Sequence, residues 1–170
     1  MKKSRSTLNR LKKPMDSSAH KISKTSGMLL RAATRVRRNA YAPYSQFQVG
    51  AALIDEKGAI HIGCNAENSS YGGTICAERA ALCAMVSSGS RVAHEIVVVT
   101  DLPIAASPCG MCLQVLLEFA PSGGARAKSK ATPMVVHLAN LSGIQRSFTL
   151  EELLPHSFDG AFLRDPKKVL

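Results

Sequence analysis

No run of eighteen apolar residues occurs anywhere in the 170-residue chain, so no transmembrane helix is expected. The N-terminal region lacks the apolar core of a secretory signal, which points to a reducing, cytoplasmic setting. There the five cysteines are expected as thiols or metal ligands rather than disulfides. Acidic residues are almost missing from the first 38 positions. Twelve Lys and Arg stand there against Asp16 alone, giving +11, while residues 39–170 carry ten against eleven, giving −1. The formal net charge of +10 therefore belongs to one end, and the remainder shows no basic footprint for nucleic acid. No internal repeat is present.

Residues 1–24, rich in Lys, Arg and Ser with Pro14 and little apolar periodicity, read as a basic disordered arm. A solvated tail, a weak polyanion-binding arm and an organelle-targeting segment all fit that composition. Residues 25–170 read as one domain, and 45% apolar content suits a soluble α/β protein with a sizeable core. A helix is expected from a Ser26 cap through Met28, Leu29, Ala32, Ala33 and Val36, closed by Arg35, Arg37 and Arg38 and broken at Ala42-Pro43. Strands are expected at Phe47–Ile54 and Ala59–Asn65, joined by the turn Asp55-Glu56-Lys57-Gly58, and again at Glu95–Thr100, Met134–Leu138 and Gln145–Leu150. Helices begin near Cys76 and Cys109, the second stopped by Pro121, and one helical turn falls at Glu151–Leu154. Residues 121–132 read as an exposed connection. The order predicts a three-layer α/β/α sandwich around a mixed five-stranded sheet, with the two cysteine helices meeting at a common edge.

The stretch Thr74-Ile-Cys-Ala-Glu-Arg-Ala-Ala-Leu82 carries the chemistry. It sets a thiol, Cys76, two residues before a carboxylate, Glu78, at a helix start for which Thr74 is the expected cap. A helix N-terminus favours the thiolate, the form that binds metal. Ser107-Pro108-Cys109-Gly110-Met111-Cys112 adds two thiols spaced to face one ion from a first helical turn. Three protein ligands leave a position open for water, whereas a structural zinc site is closed by four. A C-x-E stretch followed by P-C-x-x-C is the pattern of zinc deaminases, in which the Glu moves protons. The alternative is a four-cysteine structural site completed by Cys64 or Cys83. Otherwise both are expected as buried thiols. None of His61, His94, His137 or His156 falls at a metal-ligand position of a motif.

Tyr41-Ala42-Pro43-Tyr44-Ser45, Phe47-Gln48-Val49-Gly50-Ala51-Ala52, Asn65-Ala66-Glu67-Asn68, Tyr71-Gly72, Thr74-Ile75-Cys76-Ala77-Glu78-Arg79, Pro108-Cys109-Gly110-Met111-Cys112 and Leu153-Leu154-Pro155-His156-Ser157-Phe158 together resemble cytidine deaminases of the homotetrameric, three-cysteine type. The resemblance spans roughly residues 26–162 and leaves the basic arm outside. It implies one Zn2+ per subunit on Cys76, Cys109 and Cys112, activating water, and Glu78 as proton shuttle. It implies Arg79 as the cation that offsets thiolate charge by bonding to ligand sulfur, an exposed helix charge being the alternative. Asn65 and Glu67 match ribose-hydroxyl ligands, residues i and i+2 of an extended stretch pointing the same way. Phe47 matches the ring that packs on the pyrimidine, though as a residue alone it reads as ordinary core. The Ala77 backbone N–H matches the group that reads the base carbonyl. Tyr71 and Phe158 match positions that complete a neighbouring subunit's pocket. The reaction implied is zinc-dependent deamination of cytidine and 2′-deoxycytidine in pyrimidine salvage, with a small-molecule nucleoside rather than nucleic acid or membrane as partner. One departure stands out: Leu113 occupies a position where the family usually has Arg.

Overall fold

The computed structural model describes residues 23–123, 131–158 and 160. Nearly all of the expected basic arm, and the centre of the expected 121–132 connection, lie outside the described residues.

The first helix, α1 (Lys24–Arg37), begins earlier than its apolar stripe suggests. Ser23 is the cap, and Ser26 is its partner in a reciprocal box: Ser26 N–H donates to Ser23 Oγ at 3.0 Å, and Ser23 N–H donates to Ser26 Oγ at 2.9 Å. Both orphan amides are satisfied by side chains three residues apart. Strand β1 (Gly50–Asp55) starts later than the apolar pattern implied: the Phe47 carbonyl and the Val49 amide bond to the Asn65 side chain, and only the Val49 carbonyl takes a main-chain bond, from the Asn65 amide. Asp55 closes the hairpin into β2 (Ile60–Cys64) by accepting from the Lys57 and Ala59 amides, and Gly58 supplies the positive φ of +81° that the turn requires.

A 3-10 turn at Tyr71–Gly73 leads into α2 (Ala77–Ser87), followed by β3 (Ala93–Val99), α3 (Gly110–Glu118), β4 (Val135–Asn140), β5 (Gly143–Thr149) and the single turn α4 (Leu150–Leu153). The sheet order is β2-β1-β3-β4-β5, with β3 and β4 parallel and every other pair antiparallel. The sheet is therefore mixed, as expected. Alternation along the strands sorts two cores. Leu53, Ile96, Val98, Val136 and Leu138 pack against α2 and α3, whereas Ala52, Val97, Val99 and Ala139 pack against Leu29 and Ala33 of α1. Three layers follow. Fully buried Met85 and Leu116 each contribute about 1.5–3 kcal/mol of hydrophobic stabilisation. Among the described residues no helix is long and apolar enough to cross a membrane.

The layers are drawn together at two glycines. A Cβ on Gly63 of β2 would strike the Ala81 amide nitrogen and lie 2.6 Å from the Ala77 carbonyl oxygen, so α2 sits on β2 at a distance only glycine permits. Gly50 of β1 plays the same part for α1, beneath the Ala33 carbonyl and the Arg37 backbone. In both, the obstacle is backbone, which cannot swing away.

Replacing Gly63 by Ala is expected to destabilise the fold by about 2–3 kcal/mol through overpacking, read as a lower urea midpoint at unchanged slope. An unchanged midpoint would mean that α2 has room to lift.

Candidate active site

The two long helices on one face of the sheet, α2 and α3, begin at cysteines. Cys76 and Cys109 occupy the N-cap positions of α2 and α3, and neither side chain makes a capping hydrogen bond. Thr74 is therefore not the cap. Its backbone is still extended, and its carbonyl accepts a 2.7 Å bond from Arg79 Nη2. Cys112, one turn into α3, is fully buried and turns its sulfur toward the other two. The three sulfurs lie within 4.8 Å of one another. A tetrahedral zinc ion with Zn–S bonds of about 2.3 Å needs sulfurs about 3.8 Å apart. The donor set and its convergence thus fit a three-thiolate zinc site.

The thiols are electrostatically uneven. Cys76 is held down to about 5, chiefly by a hydrogen bond from the Cys112 thiol, with further help from Arg79. Cys112 is pushed up because it keeps the proton it shares with that sulfur, and burial adds to this. Arg79 Nη2 approaches Cys76 Sγ at 3.7 Å, while its Nε is buried with no partner among the described residues. Arg79 is accordingly no exposed helix charge; it has an N–H in reserve for a site bearing more thiolate. Leu113 packs in the core shared by α2, α3 and the sheet. That position is filled with apolar volume and leaves charge compensation to Arg79.

Glu78, in the first turn of α2, is only 4% exposed. Burial, with the Cys76 charge nearby, raises its carboxyl above the ordinary value despite bonds that favour the anion. A carboxyl poised upward beside a metal-competent thiol cluster can both accept and return a proton.

A second group of expected residues gathers beside the first. After β2, Asn65 and Glu67 both turn toward the 44–49 segment, as the i, i+2 alternation predicts. Buried Asn65 donates to the Phe47 carbonyl and accepts from the Val49 amide, each at 2.8 Å. Glu67 Oε2 accepts from the Tyr44 and Ser45 amides at 2.9 and 3.1 Å, and Oε1 accepts from Ser45 Oγ. The segment is fastened by pairing of Ala66 with both Tyr41 and Ile75. Tyr44, Ser45, Glu67, Asn68, Tyr71 and Thr74 line a cleft of about 290 Å³. The Tyr71 ring meets Tyr44 edge-on at 6.1 Å yet remains 78% exposed. Phe47 is half-buried, and Ala77 is fully buried at the start of α2. Phe158, 59% exposed, is tied by its carbonyl to Gln114 of α3.

The alternative cysteines stay apart from the cluster. Neither is buried as expected: Cys64, at the end of β2, is half-buried, and Cys83 is exposed because Ala81, Leu82 and Met85 already fill the sheet-facing side of α2. His61 bonds to Asp55, and His137 lies between Ser147 and Glu95; His94 and His156 are exposed. None of these four takes part in a metal cluster. Sequence reasoning missed Ser45 and the Thr74 carbonyl as supports. A serine two residues before an aromatic and a main-chain oxygen carry no signal until the fold brings their partners near.

A family model described as the cytidine and deoxycytidylate deaminase zinc-binding region matches residues 23–123. The chain is similar to the cytidine deaminase of Halalkalibacterium halodurans, 44% identical over 138 residues that cover 81% of this chain and 97% of the relative. It is 43% identical over 130 residues to that of Sporosarcina psychrophila, covering 76% and 88% respectively. Among solved structures, cytidine deaminase from Burkholderia pseudomallei superposes with a TM-score of 0.68 at 39% identity, over 78% of this chain and 98% of the other.

Substituting Arg79 by Ala is expected to weaken zinc retention by about 10–100-fold, as loss of an outer partner of metal ligands generally does. Competition with a chromophoric chelator measures it; undiminished retention would show that the guanidinium does not share the thiolate charge.

Proposed function

Because the chain belongs to the family of the cytidine and deoxycytidylate deaminase zinc-binding region, we propose that it hydrolyses cytidine and 2′-deoxycytidine to uridine and 2′-deoxyuridine with release of ammonia, in pyrimidine salvage. The observation that carries this reading is the set of three converging thiols with buried Glu78 two residues from the first of them. Cys76, Cys109 and Cys112 hold the zinc, which when bound supplies the Lewis acidity that makes water a nucleophile at neutral pH.

The remaining chemistry belongs to side chains. Glu78 takes a proton from water as its oxygen bonds to the amino-bearing ring carbon, and passes it to the adjacent ring nitrogen. The proton left on that oxygen then goes, through Glu78, to the amino group as the carbon–nitrogen bond breaks and the ring carbonyl forms, so ammonia leaves without any change in oxidation state. Burial raises the proton affinity of the Glu78 carboxyl above its ordinary value, the direction that favours taking a proton from water. Phe47 packs on the pyrimidine, the Ala77 amide reads its carbonyl, and Asn65 and Glu67 take the sugar hydroxyls. Support for the sugar side comes from the cleft that Glu67 and Tyr71 share.

Tyr71 and Phe158 complete the pocket of a neighbouring copy in a homotetramer. Their exposure beside elements that carry the site, with that of Ile104 and Met111, supports an assembly that covers them. Residues 25–170, together with the Ser23 cap and Lys24 that open α1, make up the catalytic domain, and the residues before them an appended basic arm. The five free thiols support a cytoplasmic location, with organelle targeting through the arm as the alternative.

Wild-type protein is expected to release ammonia from free cytidine, with the accompanying absorbance change. Glu78→Gln is expected to lose nearly all of this activity, at least about 100-fold, while retaining its zinc. A zinc-loaded wild type that leaves cytidine unchanged would overturn the reading.

A further inference from the structure

The hydroxyl of Ser45 stands between two groups that handle different halves of a nucleoside. It donates its one proton to Glu67 Oε1 and accepts from the Phe47 amide at 3.0 Å. A hydroxyl has a single proton to give, so the direction of this relay is set. Glu67 Oε2 is already filled by two main-chain amides, those of Tyr44 and Ser45. A carboxylate offers about four acceptor positions, of which these three bonds leave one, on the oxygen that Ser45 holds. Both residues line the 290 Å³ cleft.

The backbone shows the same constraint. Gln46, between Ser45 and Phe47, adopts a φ of +59°, the one non-glycine residue with positive φ among those described. Its amide bonds to the Ala42 carbonyl at 3.1 Å and its side chain to the Pro43 carbonyl at 3.2 Å. A left-handed conformation costs free energy for such a residue and persists where its surroundings over-determine it. The Ser45 hydroxyl is also the foremost influence holding the Glu67 carboxyl below its usual range, ahead of the two amides.

We propose that Ser45 is a positioning residue that couples the sugar site to the base site: one hydroxyl fixes the aim of Glu67 and the main chain of Phe47, so that sugar and pyrimidine are held in one register. This rests on the assignment of Glu67 to the sugar and Phe47 to the base made above. The last acceptor position of Glu67 takes one sugar hydroxyl. Without the Ser45 hydroxyl the carboxylate is held through Oε2 alone, Oε1 loses its aim, and sugar contacts place the ring less well.

The test pairs two substrates with three proteins. Wild type, Ser45→Ala and Ser45→Thr are assayed on cytidine and on 2′,3′-dideoxycytidine, which has the same base and no hydroxyl at either sugar position. Wild type is expected to favour cytidine. Ser45→Ala is expected to lower kcat/KM on cytidine by about 10–100-fold, the range for a hydrogen bond to a charged group, mainly through KM. On the dideoxy compound the loss should be clearly smaller, because only the Phe47 side of the relay then counts, and Ser45→Thr, which keeps the hydroxyl, should restore the cytidine value. An equal loss on both substrates overturns the proposal, because Ser45 would then only shape the loop. No loss on either overturns it as well. Should wild type not distinguish the two substrates, the sugar assignment of Glu67 itself fails, an outcome read before any variant is considered.

Discussion

Three thiols within 4.8 Å of one another are an arrangement the chain must impose, since as thiolates they repel. Two helix starts impose it. Cys76 and Cys109 sit where two helices begin, so the positive ends of both backbone dipoles face the cluster, and Arg79 adds a full charge at the Cys76 sulfur. The helix starts can meet only because both helices lie on the same face of the sheet, and α2 lies as close as it does because Gly63 presents no side chain. The fold around the site is in this sense a device for holding like charges together.

Glu78 depends on the same arrangement in the opposite sense. The burial that lets the cluster form withdraws the carboxyl from water and lifts its proton affinity. Two residues apart in the chain, Cys76 is drawn toward the anion and Glu78 away from it. That divergence comes from neighbours: a shared thiol proton and a guanidinium for the one, apolar packing for the other.

Much of this was legible because it is local. The Cys109/Cys112 spacing and the Cys76/Glu78 spacing each lie within one helical turn, and helical periodicity alone puts the members of each pair near one end of a helix. The mixed sheet was readable from alternation and turn residues, and the order of elements placed both cysteine helices together. What escaped was contact across distance. Ser45 and Glu67 are 22 positions apart, Gly63 carries no sign that Ala77 and Ala81 lie above it, and Thr74 looks like a better cap than Cys76 until its carbonyl is claimed by Arg79. Cys83 read as buried because cysteines usually are. Its place on the outer side of α2 depended on which residues filled the inner one. Ser26 misled for a similar reason: a capping box holds two serines, and the apolar stripe made the inner one look like the first.

Buried Arg37, near the end of α1, donates to the Gln48 carbonyl at 2.9 Å and pairs with Asp101 at 2.5 Å. Gln48 adjoins Phe47, and Asp101 opens the loop that runs to Cys109. One side chain from the helix on the far face of the sheet is thus bolted to both segments that feed the site. Drift of residues under selection should respect that bolt. Substitutions along the inward side of α1, remote from any bound molecule, will be felt as changes in turnover, and a search for altered enzymes that varies only the cleft will overlook them.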